Sequence, residues 1–113
     1  MKVALCIKYV DGNPRFADTL GNSDQFFIYD IEKKNLNDKF TNHFKSSPAS
    51  EIFCAQILIK RGVNAVVCGK CGKDAKNLFN EANIDVIENV SMRPTDFVTV
   101  LFNKFREDKR IEV

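Results

Sequence analysis

The residues most able to do chemistry lie in one stretch, Cys68-Gly69-Lys70-Cys71-Gly72-Lys73, where two thiols are interleaved with glycine and lysine. Cysteine sulfur is a soft ligand suited to zinc and iron–sulfur centres. One Cys-x-x-Cys pair is half a ligand set, because tetrahedral zinc or an iron–sulfur cluster usually takes four ligands. The rest would have to come from Cys6 and Cys54, and Cys54 falls on a helix, pointing in an undetermined direction. The same stretch offers a second chemistry. A glycine turn that opens a helix presents backbone N–H groups and a positive dipole end, to which Lys70 and Lys73 add charge, and such a turn binds small anions. Plainer readings stay open: Cys6, Cys54 and Cys68 as small core residues, Cys71 as a loop thiol, and Gly69 and Gly72 as a tight connection. A thioredoxin-like redox pair is a poor fit, since it needs its first cysteine at a helix N-terminus and Cys68 reads as strand.

The remaining candidates are few. His43, the one histidine, follows a strand in Thr-Asn-His-Phe and is either a ligand on a loop or a surface imidazole. No serine sits in a nucleophile turn, so a catalytic triad is excluded. The segments VALCIK and AVVCGK carry no carboxylates, which removes the metal-dependent nucleases.

These groups must be positioned by strands and helices. Ala65 to Lys70 is a short apolar run ending in turn residues, as expected of a central parallel strand, and Lys2 to Lys8 is apolar on both faces. Gln25 to Ile31 and a weaker strand at Lys39 to Phe44 pair as a hairpin. Asp11 to Pro14 is a turn, and Arg15 to Asp24, lacking a period, is a loop with at most one helical turn. Ser47 or Ser50 caps a helix over Glu51 to Arg61 that turns Ile52, Phe53, Ala55, Gln56 and Ile59 inward and ends at Gly62. A short helix from Ala75 to Ala82 is capped by Asp74. A last strand, Asp85 to Glu88, precedes a helix opened by Pro94 and striped by Phe97, Val98, Leu101, Phe102 and Phe105. Right-handed crossovers then give a five-stranded mixed sheet, order 3-2-1-4-5, with helices on both faces and Cys6 close to Cys68 and Cys71.

Length and composition agree with this. A chain of 113 residues, 44% apolar, supports one core and one domain, taken as residues 1–113. Seventeen basic and fifteen acidic residues are spread along it, so bulk charge gives no reason to expect nucleic acid. Lys8 interrupts the first apolar stretch, making it a strand and not a signal peptide, and no run approaches the ~20 apolar residues of a membrane helix. A cytoplasmic protein with reduced thiols is expected.

The spans FFIYDIE and AQILIKRGVNAVVCGKCGKDAKNLFNEANIDV resemble the dinitrogenase iron–molybdenum cofactor biosynthesis family, the NifX-type domain. That family has a first strand, a loop usually containing His-Phe-Gly, a strand ending in an acidic residue, and a helix leading to a Gly-Val-Asp-x-Val-(Ile/Val)-x-Gly-x-(Ile/Met)-Gly segment. The likeness runs from Met1 to Ile87 and is most specific over Arg61 to Gly72. It implies a ribonuclease-H-like fold without nuclease activity. It also implies non-enzymatic binding, carriage or storage of an iron–sulfur or molybdenum-containing cluster exchanged with donor and acceptor proteins; a monomer or weak dimer is expected. The chain departs from the pattern at Thr19-Leu20-Gly21, which stands in place of His-Phe-Gly. On this reading Cys71, Cys68, Cys6 and His43 are candidate ligands, and Gly69, Lys70, Gly72 and Lys73 cradle the anion. The alternative is a small interaction domain without a cofactor, using the edge strand or the last helix.

Overall fold

The protein was analysed as a computed structural model, which describes residues 1–112 and, in the last helix, side chains as far as Lys104. In chain order the elements are β1 (Lys2–Val10), β2 (Asn13–Phe16), β3 (Gln25–Asp30), β4 (Asn35–Thr41), α1 (Ser50–Lys60), β5 (Ala65–Cys68), α2 (Lys73–Glu81), β6 (Asp85–Glu88) and α3 (Pro94–Glu112). They form a single α/β domain around a mixed sheet in the order β4-β3-β1-β5-β6, with β2 added along β1.

β1 is the axis because it is apolar on both sides. Val3, Leu5 and Ile7 point to one face with Ala65 and Val67, while Ala4 and Cys6 point to the other with Val66 and Cys68. Fully burying a side chain such as Leu5 or Ile7 is worth about 1.5–3 kcal/mol, so a strand of this composition is stable only with both faces covered. Phe97, Val98, Leu101 and Phe102 of α3 cover the first face. The second is covered by α1, through Cys54, Ala55 and Leu58, and by α2, through Ala75 and Phe79. Phe105, the last residue of the expected α3 stripe, lies outside the described side chains.

β1 and β5 are adjacent and parallel, with Val3 opposite Ala65 and Leu5 opposite Val67, and β3 pairs antiparallel on the other side of β1. The expected path of five strands is therefore present, but the sheet has six. β2 lies where a loop was expected. Asp11 (φ 52°) and Gly12 (φ 78°) make a two-residue turn with both φ positive, the hairpin turn whose twist matches its strands, and Val10 pairs with Asn13. The Asp-Gly signal was legible but was masked by Asn13 and Pro14, which read as more turn. Pro14 is accommodated because β2 is short and peripheral.

Several boundaries also move. β4 is Asn35–Thr41 and not Lys39 to Phe44, and β5 stops at Cys68 and not Lys70. α2 starts at Lys73 with Gly72 as its N-cap residue, so Asp74 is inside the helix and caps nothing. α1 begins at Ser50 without a side-chain cap; its buried residues are Ser50, Cys54, Ala55 and Leu58, while Phe53 and Gln56 of the expected stripe are exposed. A chain with little amphipathic contrast over Ile52–Ile59 leaves the rotation of the helix to tertiary packing.

Candidate functional site

Beyond Cys68 the partner of β1 changes. Ile7 pairs with Gln25 of β3 on one side and with Phe16 of β2 on the other, so β2 takes over the side of β1 that β5 has left. The segment after β2 then runs alongside the glycine turn: Gly69 N–H donates to the Ala17 carbonyl at 2.8 Å, and Leu20 N–H donates to the Lys70 carbonyl at 3.1 Å. Gly69 is required by this approach, since a Cβ there would sit 2.5 Å from the Asp18 carbonyl oxygen and 2.7 Å from that of Ala17. Thr19-Leu20-Gly21 is thereby brought against the glycine turn.

The turn is not the open nest of N–H groups that was expected. Cys71 N–H donates to Glu88 Oε2 at 2.8 Å, and Gly72 N–H donates to Glu51 Oε1 at 2.7 Å. The other oxygen of Glu51 accepts from Gly21 N–H at 3.4 Å. The other oxygen of Glu88 is paired with Lys76 Nζ at 2.7 Å. Lys76, and next the Cys71 N–H, hold the Glu88 carboxyl below its ordinary range. Two of the protein's own carboxylates thus occupy the amides an external anion would use. Neither was singled out in the sequence. Glu88 ends a strand and Glu51 lies in the first turn of a helix, both common places for an acid, and only the fold brings them to the turn.

Glu51 stands between two helix N-termini. A cavity of about 440 Å³ is lined by Ala49, Glu51 and Ile52 at the start of α1 and by Gly72, Lys73 and Asp74 at the start of α2. Each helix start carries roughly half a positive charge on its unpaired N–H groups. Lys73 is the first residue of α2, where a cation opposes the dipole unless an anion is near, and Lys70 is exposed on the turn.

The thiols lie one layer inside. Cys6, Cys68 and Cys71 share one core cluster, and the Cys68 thiol interacts with both others. All are free and buried. This corrects the reading of Cys71 as an exposed loop thiol: it is 2% exposed, because α2 begins two residues later and seats it in the core. The neighbouring Cys68 thiol, then burial, then the charges of Glu51 and Glu88 raise the Cys71 thiol well above the ordinary range. Cys68 is raised too, chiefly by Cys6. Cys54 is elsewhere, donating to Asn42 Oδ1 at 3.4 Å, and burial pushes it up to about 11. His43 is exposed beyond β4 and shares no site with the sulfurs. Among the described residues, no three or more His, Cys, Asp or Glu side chains are arranged to hold a metal ion.

The family model described as dinitrogenase iron-molybdenum cofactor matches residues 1–104, which includes every group named above. The chain belongs to the dinitrogenase iron–molybdenum cofactor family. Its fold recurs in solved structures: the apo form of the orange protein from Desulfovibrio gigas (TM-score 0.76, 18% identity, 91% of this chain and 88% of that one); a NifB-like protein of the DUF35 family from Thermotoga (0.68, 21%, 94% and 87%); and a dinitrogenase-type protein from Methanococcus jannaschii (0.62, 19%, 94% and 89%). At these identities the likeness concerns the fold. No curated protein matches the sequence. In this member of the family, then, the glycine turn, two helix starts and three thiols share one end of the sheet, and two carboxylates hold the turn closed.

Proposed function

We propose that this chain binds, carries or stores an anionic iron–sulfur or molybdenum-containing cluster, or a precursor of one, as cargo and without catalysing a reaction. The observation that carries this reading is the convergence of the α1 and α2 N-termini, with Lys73 at the cavity between them and Lys70 on the adjoining turn. Family membership supplies the chemical class of the anion. The sheet is read as a ribonuclease-H-like arrangement in which the end that would hold catalytic carboxylates holds thiols and glycines instead.

The donor set fits the charge of such a cargo better than it fits ligation. Sulfides of a cluster would take the Gly72 and Cys71 N–H groups in exchange for the carboxylates of Glu51 and Glu88, with Lys70 and Lys73 offsetting negative charge. Neutral, buried thiols do not bind a metal as they stand. A metal would have to displace a proton, and Cys71, nearest the turn amides, is the first sulfur it would meet, with Cys68 and Cys6 behind. His43, exposed on the loop after β4, is left out of the proposed ligand set. Proteins that donate and accept the cluster are the partners this role requires.

Anaerobic titration with tetrathiomolybdate, and separately with iron and sulfide, followed by absorbance and metal analysis, tests the reading. Uptake should weaken with added salt, as it must for an anion held by amides and lysines. Cys71→Ser should reduce uptake more than Cys54→Ser if thiolates contribute. Equal uptake by both variants and the parent leaves the amide and lysine site alone, and no uptake from either source would overturn the proposal in favour of a cofactor-free interaction domain.

A further inference from the structure

A second cavity opens on the same face of the sheet but at its β4 edge, away from the glycine turn. Phe26, Phe40, Phe44 and Ile57 wall a space of about 490 Å³ between β4, the loop after it and the last turns of α1. That is within the ~300–1,000 Å³ of small-molecule sites. Asn42, the buried polar side chain of the wall, has nothing left to offer an occupant. Its Nδ2 donates to the carbonyls of Gly21 and Ser23 at 3.1 and 2.9 Å, and its Oδ1 accepts from Phe44 N–H at 2.9 Å. The walls therefore present apolar surface, and the charged groups at the lining, Lys60 and Arg61, are both cationic.

Arg61 shows what those cations accept. Its guanidinium lies over the Phe40 ring at 4.0 Å and is paired with the Asp38 carboxylate. The pair is at the surface, with side-chain exposures of 40% and 36%, where such pairs contribute little net stability, so one carboxylate can be exchanged for another cheaply. The stacking on Phe40 keeps the guanidinium at the cavity during the exchange. The side chains of Lys60 and His43 have no hydrogen bond or ion pair among the described residues.

We infer that this cavity binds a small amphiphilic monoanion, an aliphatic or aromatic carboxylate, with its apolar body against Phe26, Phe40, Phe44 and Ile57 and its carboxylate on Arg61 beside Lys60. The site is independent of the cluster proposal, shares no residue with it, and stands whether or not that proposal does.

Calorimetric titration with octanoate, octanol and octylammonium tests it, with 2-naphthoate deciding between aliphatic and aromatic bodies. Octanoate, naphthoate or both should bind at least about tenfold more tightly than octanol, and octylammonium more weakly still. Arg61→Met, which keeps an apolar stem over Phe40, should bring octanoate down to the octanol level and leave octanol unchanged. Asp38→Asn, which frees Arg61, should tighten octanoate binding. Ile57→Trp should fill the cavity and abolish binding of all three eight-carbon probes, and circular dichroism checks that it is folded. Equal affinity for octanoate and octylammonium, no response to Arg61→Met and Asp38→Asn, or no binding of either acid at millimolar concentration to the folded parent overturns the inference.

Discussion

Glu51 separates a binding role from a structural one. Its carboxylate satisfies Gly72 N–H and also reaches Gly21 N–H, so Glu51→Ala should destabilise the fold by about 1–2 kcal/mol, the usual effect of leaving such donors unpaired. The same change frees the amides, so tetrathiomolybdate affinity should rise as stability falls. Urea denaturation and the anaerobic titration measure the two, and affinity falling with stability would show Glu51 to be part of the site and not its plug. The glycines of the turn differ in a related way. A Cβ on Gly69 meets backbone carbonyls that cannot retreat, so Gly69→Ala should lose about 3 kcal/mol, at the upper end for overpacking. A Cβ on Gly72 meets only the Glu51 Oε1, 2.7 Å away on a flexible side chain, and Gly72→Ala should lose about 1 kcal/mol, the value of one hydrogen bond. Similar losses for the two variants in urea would contradict the close packing at Gly69.

At the level of elements, Glu88 straps the end of β6 to the turn and to α2. Because Lys76 and the Cys71 N–H lower its folded-state pKa beneath the ordinary value of 4.5, the strap contributes its full stability above about pH 4.5 and loses it as pH falls through the lowered value. Urea midpoints measured downward from pH 6 should decline more steeply for the parent than for Glu88→Gln, and parallel declines would show that the strap carries no linkage.

For the whole molecule, all four cysteines are buried, three of them in the layer between the sheet and the starts of α1 and α2. An aromatic disulfide reagent at pH 8 should find no fast-reacting thiol in the native protein and four after denaturation. Raised folded-state values for Cys54, Cys68 and Cys71 carry a second consequence. Unfolded thiols ionise near the ordinary value of 9 while the folded ones stay protonated, so stability should fall as pH rises above about 9. One rapidly modified thiol in the native state would place Cys71 at the surface after all. Among the described residues no helix is long and apolar enough to cross a membrane.

Much of this was legible in the sequence, and for a common reason. β1, β3, β5 and β6, and the parallel pairing of β1 with β5, follow from apolar runs whose backbone and side chains leave few other arrangements, and the short steps between them restrict the connections. The glycine turn was legible because Gly69 and Gly72 interrupt such a run. β2 was hidden because four residues with a proline carry almost no strand pattern until β1 offers them an edge. The rotation of α1, the burial of Cys71 and the two carboxylates on the turn were decided only in three dimensions. Each depends on groups far apart in the chain, Glu51 with Gly72 and Glu88 with Cys71, and no local preference records which distant amide a carboxylate will meet.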